Sequence, residues 1–76
     1  NLFELKYDNV NKFLNVTANN ENLKSIKIYD MTGKLVFGKI INSKNKLINL
    51  SKLTNGIYTL IIETDNHLKH LKFLRY

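Results

Sequence analysis

Cysteine and proline are absent from the 76 residues, and glycine occurs only at Gly33, Gly38 and Gly56. Without cysteine the chain has no disulfide to staple it and no thiol nucleophile. Hydrophobic packing must therefore hold it together. The compartment stays open, because many secreted domains also lack cysteine. Linkers are not written in proline or glycine, so asparagine takes that place. Its 12 copies cluster between apolar runs, as in Asn9-Val10-Asn11 and Asn19-Asn20-Glu21-Asn22. Asparagine tolerates left-handed backbone and bonds its own neighbours, so it favours turns. Arginine is scarce too: of 12 basic residues, Arg75 alone is not lysine. Nucleic-acid readers lean on bidentate arginine, so nucleic acid is not an expected partner. No basic-then-apolar leader and no long apolar run occurs. The chain opens on Asn1 rather than methionine, and residues 1–76 are expected to be one domain of a larger protein.

Twelve basic against 6 acidic residues give a net charge of +6. The lysines are scattered along strand-like runs and turns. They read as a solvated surface with guarded sheet edges, or as a docking face for an acidic partner. A chain this short buries only roughly 60–65% of its unfolded surface, so its stability margin is thin. The apolar fraction of 43% is nevertheless too high, and too evenly spread, for a disordered tail.

The apolar residues alternate. Phe3–Tyr7, Phe13–Thr17, Ser25–Tyr29, Leu35–Ile41, Lys46–Leu50, Ile57–Thr64 and Leu68–Leu74 each read as a strand. In the third run Ile26 and Ile28 share one face, with Lys27 and Tyr29 on the other. Ile57–Thr64 is the longest apolar run and is expected in the sheet interior. Seven short strands at roughly 8–12-residue spacing predict a sandwich or barrel. Asp30-Met31-Thr32-Gly33 has the chemistry of a type I turn, and a left-handed Gly33 would close a hairpin with a one-residue bulge. Asp65-Asn66 marks another tight turn. Ser51–Asn55 reads as one helical turn, capped by Ser51 and ended by Gly56.

Little here supports catalysis. His67 and His70 stand three apart in or beside a strand, which sends them to opposite faces, with no third ligand and no acidic partner expected beside them. Two such ligands make a poor zinc site. There is neither a Gly-rich phosphate loop nor a metal-spaced acidic loop. No cofactor or metal is expected. The eight aromatic residues mostly fall on the same faces as Ile and Leu, which places them in a core. Tyr58 is expected to be buried with its hydroxyl bonded to backbone.

Two blocks in order carry a resemblance. The first is Ile28-Tyr29-Asp30-Met31-Thr32-Gly33-Lys34-Leu35-Val36. The second is Leu50-Ser51-Lys52-Leu53-Thr54-Asn55-Gly56-Ile57-Tyr58. A basic ending follows, His70-Leu71-Lys72-Phe73-Leu74-Arg75-Tyr76. Over about Leu14–Tyr76 the chain resembles the C-terminal sorting domains of the type IX (Por) secretion system of Bacteroidetes, type A. The family's opening Pro-Asn-Pro element is missing, and Tyr7-Asp8-Asn9-Val10 stands in its place.

The resemblance implies an immunoglobulin-like antiparallel β-sandwich of about seven strands and no enzymatic activity. It implies an address label on an N-terminal cargo domain of the same chain. Such a label crosses the periplasm, is read by the outer-membrane translocon, and is removed by a sortase-like protease. The cargo ends at the cell surface or outside the cell. The residues that would carry recognition are Asp30, Gly33, Lys34, Gly56, Tyr58, Lys72 and Arg75. Lys72 and Arg75 would give the last strand a positive, exposed edge, open to strand addition or to acidic groups. An edge strand at either end also leaves a dimer open. The alternative is an immunoglobulin-like accessory or adhesion domain, carbohydrate-contacting, which would show an aromatic patch facing its ligand.

Overall fold

The computed structural model describes residues 2–76. Seven strands run β1 (Phe3–Asp8), β2 (Phe13–Ala18), β3 (Leu23–Tyr29), β4 (Leu35–Ser43), β5 (Asn45–Asn49), β6 (Gly56–Thr64) and β7 (Leu68–Arg75). Each apolar alternation in the sequence became a strand, with bounds that differ by two residues or fewer. Alternation decides burial as well. In β6 the residues Tyr58, Leu60, Ile62 and Thr64 are buried, while Ile57 and Glu63 are exposed. In β3 Ile26 and Ile28 are buried and Lys27 is exposed.

The strands form two antiparallel sheets. One has the order β1-β2-β5 and the other β4-β3-β6-β7. β6 lies inside its sheet, as its apolar run predicts. Between the sheets sits an aliphatic layer made of Leu14, Val16, Leu23, Ile26, Ile28, Ile48, Leu50, Leu60 and Ile62, with Tyr58 and Ala18. Each large side chain buried there contributes about 1.5–3 kcal/mol. Phe3, Tyr7, Phe37 and Phe73 pack against this layer from its margins. The all-β sandwich is thus as expected, with one particular of topology. In the constant-type immunoglobulin order the fourth strand flanks the fifth. Here β4 flanks β3, because the turn between them is too tight to let the chain cross to the other sheet.

That turn is Asp30–Gly33. The Gly33 amide donates to the Asp30 carbonyl at 3.1 Å, and the Asp30 amide donates to the Lys34 carbonyl at 2.9 Å. Gly33 sits at φ +88°. This is the type I turn with a left-handed glycine bulge that the sequence predicts. A second bulge follows, since Ile28 opposes Phe37 while Tyr29 opposes Leu35. The extra residue, Val36, lets Val36 and Phe37 both reach the core. Between β1 and β2, Asp8 Oδ1 accepts from the Val10 and Asn11 amides. Lys12 closes that loop at φ +61°, where a side chain is unfavourable.

One expected element is absent. Residues 51–55 form a turn without helix. Asn49 Oδ1, not Ser51, accepts the amide at the start, that of Ser51. The Leu50 carbonyl takes the Leu53 amide in a single turn. The Leu50 and Ser51 carbonyls that a helix would use also accept from the Arg75 guanidinium. Gly56 is accordingly the first residue of β6, paired with Arg75, rather than a helix end.

The left-handed positions Gly33 and Lys12 behave oppositely on substitution. Gly33→Ala is expected to cost about 1 kcal/mol. Lys12→Gly and Lys12→Ala lose the same Nζ bonds to Asn9 Oδ1 and the Tyr76 main-chain oxygen, so they differ by backbone preference, and the glycine variant is expected to be about 1 kcal/mol the more stable of the two. Thermal melting would read these differences as several degrees. A Lys12→Gly variant that melts lower than Lys12→Ala contradicts this account of the loop.

Candidate functional site

Three of the singled-out stretches meet at one end of the four-stranded sheet. The register across it aligns Leu35, Tyr29, Thr59 and Lys72 on the outer face. The Asp30–Gly33 turn projects beside this row. Tyr29, Asp30, Met31, Gly33, Ile57, Thr59 and Lys72 line a shallow depression of about 370 Å³. A neighbouring hollow of about 220 Å³ runs from Asp30 and Met31 across to Asn55, Gly56 and Tyr58. Asp30, Gly33, Gly56, Tyr58 and Lys72 therefore border one continuous region. Lys34 stands at the turn, bonded through its main chain to Asp30 on both sides of the hairpin.

Tyr58 is buried and donates its hydroxyl to the Thr54 carbonyl at 2.7 Å. Its ring stacks on Phe73 of β7 at 5.8 Å. Tyr58 therefore ties the 50–55 loop to the terminal strand from inside the core. Gly56 lies at φ +156°.

Arg75 corrects the expected positive edge. It is only 9% exposed. Its Nε donates to the Leu50 carbonyl at 3.2 Å, its Nη2 to the Ser51 carbonyl at 3.3 Å, and its Nη1 to Asn55 Oδ1 at 2.6 Å. The guanidinium fork suits this task, since lysine cannot span three acceptors in a plane. The cause was visible in the sequence: Arg75 shares strand parity with Leu71 and Phe73, which face inward. Lys72 has the opposite parity and is exposed. The last strand is thus an edge strand with a lysine on its outer face, and its arginine is a clamp. Just beyond, the Tyr76 main-chain oxygen accepts from the Tyr7 hydroxyl at 3.0 Å and from Lys12 Nζ. Asn55, Tyr7 and Lys12 are partners that no local sequence signal marks.

A family profile described as the secretion system C-terminal sorting domain matches residues 9–74. The chain belongs to that family. Its members are the C-terminal sorting signals of proteins secreted by the type IX system, which makes this a domain that works with the type IX secretion machinery on a secreted protein. No curated protein matches the chain. The sorting-domain match begins inside the Asp8–Lys12 loop and stops one residue short of the Arg75 clamp. β1 therefore lies outside the matched span. Tyr29 lies on the outer face of one sheet and Phe13 on that of the other, while the exposed Tyr76 ring packs on Tyr7 at 5.5 Å.

His67 also departs from expectation. Folding brings Glu21 to it, with Nδ1 and Oε2 2.7 Å apart. Glu21 Oε1 accepts the Asn66 amide as well, so this carboxylate braces the β6–β7 turn. His70 sits on the outer sheet face, opposite Ile61.

Three carboxylates of the sorting domain are held below their ordinary pKa. For Asp30 the cause is first the Thr32 hydroxyl, at 2.6 Å, and then the Lys34 amide. For Asp8 it is the Asn11 amide and then its side chain. For Glu21 it is the Thr64 hydroxyl, followed by the Asn66 amide and His67. Each binds a proton less readily folded than unfolded. Their stabilisation is therefore complete above the ordinary carboxylate range and fades as pH falls through about 4 and below. Melting temperature should be flat near neutrality and drop toward pH 3, with a smaller drop in Asp30→Asn. An acid-induced rise in stability would contradict these assignments.

Proposed function

We propose that residues 1–76 are the closing domain of a longer secreted polypeptide. The domain is read in its folded form by the outer-membrane translocon and then cut off by a sortase-like protease. The cargo passes through the periplasm and ends at the surface or outside the cell. The domain itself performs no chemistry. The observation that carries this reading is the meeting of both family blocks, the Asp30–Lys34 turn and the Gly56–Tyr58 segment, beside Lys72 on one exposed end of the sheet.

In this reading the residues divide by task. Gly33 and Gly56 supply backbone that side chains disfavour, and Asp30 locks the turn in place. Tyr58 and Arg75 hold β7 in register against β6. Lys34 and Lys72 remain at the surface, where a receptor with acidic groups would meet them. Because β7 is a sheet edge, its outer backbone groups are also free for strand addition. Recognition of a folded label explains why so many of the motif residues are structural: they fix where the few exposed ones stand.

The test is a fluorescent protein exported to the periplasm with this chain fused behind it, in a type IX host with and without a working translocon. Surface or medium fluorescence should depend on the translocon and vanish on deletion of Leu74–Tyr76. Undiminished export of the truncated fusion would remove the terminal strand from the mechanism. Export in the translocon-deficient host would overturn the reading as a whole.

A further inference from the structure

The two outer faces of the sandwich differ in chemistry. On the three-stranded sheet the outward positions of β2 and β5 include Asn15, Thr17, Asn45 and Asn49, and Asn45 donates to Asn15 Oδ1 and Thr17 Oγ1 at 2.7 and 2.8 Å. Phe13 and Leu47 stand singly among these polar groups, each directly opposite an asparagine. On the four-stranded sheet the end near Gly33 is apolar. Leu35, Ile57 and Leu74 point outward and are 49%, 45% and 54% exposed. The core does not use them. An antiparallel sheet with one free face normally puts polar residues there, so a rimmed apolar cluster marks a contact surface.

Ile57 of this cluster lines the 370 Å³ depression together with Tyr29 and Met31, and that concavity narrows what can fit. Two charged residues line it. Asp30 Oδ1 already accepts from the Thr32 amide, the Thr32 hydroxyl and the Lys34 amide, so that oxygen is committed to the turn. Lys72, paired across from Thr59, is the cation at the depression's wall. We propose that this end of the four-stranded sheet docks a protein surface that inserts one apolar side chain into the depression and sets a carboxylate against Lys72. The inference rests on the reading of the chain as a label recognised by the secretion machinery, and it gives the chemistry of the recognising surface.

Two other occupants fit less well. A second copy packed face to face would offer Lys72 only one carboxylate from the depression's lining, that of Asp30, whose Oδ1 already serves the turn. A lipid surface is entered by protruding apolar groups, whereas this site is a hollow. An inserted anchor with a charge-paired neighbour is the usual form of a protein hot spot.

Lys72→Glu reverses the charge, and Thr59→Lys extends a side chain across the depression. Both positions are on the solvated side of the sheet, so circular dichroism and melting should show the fold unchanged. In the fluorescent fusion each substitution is expected to cut translocon-dependent export at least tenfold. Leu47→Lys, on the outer face of the other sheet, should leave it unchanged. Full export of folded Lys72→Glu and Thr59→Lys fusions overturns the docking site while leaving the sorting reading intact. Failure of the wild-type fusion to be exported overturns both. Two measurements on the purified chain complete the test. Cosedimentation with vesicles containing phosphatidylglycerol, or dimerisation in analytical ultracentrifugation, would reassign the face to lipid or to a second copy if Lys72→Glu abolished it.

Discussion

Everything in this molecule depends on one layer of aliphatic side chains, buried between two β sheets with no disulfide to tie them. Leu14, Val16, Ile26, Ile28, Ile48, Leu60 and Ile62 come from four strands and two sheets, and none of those strands is stable without the opposite layer. The requirement propagates outward. Strand parity must be kept along β3 and β6, so their hairpin turns must have fixed lengths. Those turns need left-handed or braced backbone at chosen points, and there Gly33, Asp30, Asp8 and Glu21 are found. The exposed motif residues stand at the ends of this chain of constraints.

The terminal strand is where the constraint is hardest to meet. β7 is an edge, bonded to β6 on one side only. Its inward residues Leu71 and Phe73 reach the margin of the core, and past them the core has run out. Arg75 replaces apolar burial with a planar fork on two carbonyls and one amide oxygen. A buried cation is tolerable here because each of its three nitrogens finds a neutral acceptor. The same three bonds tie down the 50–55 loop, two at the Leu50 and Ser51 carbonyls where a helix would begin and the third at the Asn55 side chain. A residue of the last strand is thus joined to a loop at least twenty residues earlier.

Much of this was legible in the sequence, and the physical reason is the period of two. A strand buried on one face writes its own orientation, so all seven strands, the inner position of β6, the burial of Tyr58 and the Asp30–Gly33 hairpin could be read locally. What could not be read depends on side chains meeting across the fold. The Ser51–Asn55 segment has helical turn chemistry, but distant Arg75 competes for its carbonyls. Glu21 reaches His67 only after the 19–22 connection has crossed between sheets. Arg75 looked like surface charge by residue type, although its parity with Leu71 and Phe73 pointed inward. Of the candidate site, the turn was visible in the sequence. Its meeting with Ile57, Thr59 and Lys72 appears only once the register of β3, β6 and β7 is known.

The central claim is that the last strand is an integral, clamped part of the sandwich rather than a loose tail. Hydrogen exchange read residue by residue by NMR tests it most directly. In the wild type the β7 amides bonded to β6 should be protected nearly as strongly as those joining β3 to β6. In Arg75→Leu, protection should fall first at the β7 end and in residues 50–55, with β2, β3 and β5 little changed. Rapid exchange throughout β7 in the wild-type chain, or an Arg75→Leu pattern indistinguishable from it, would contradict the account.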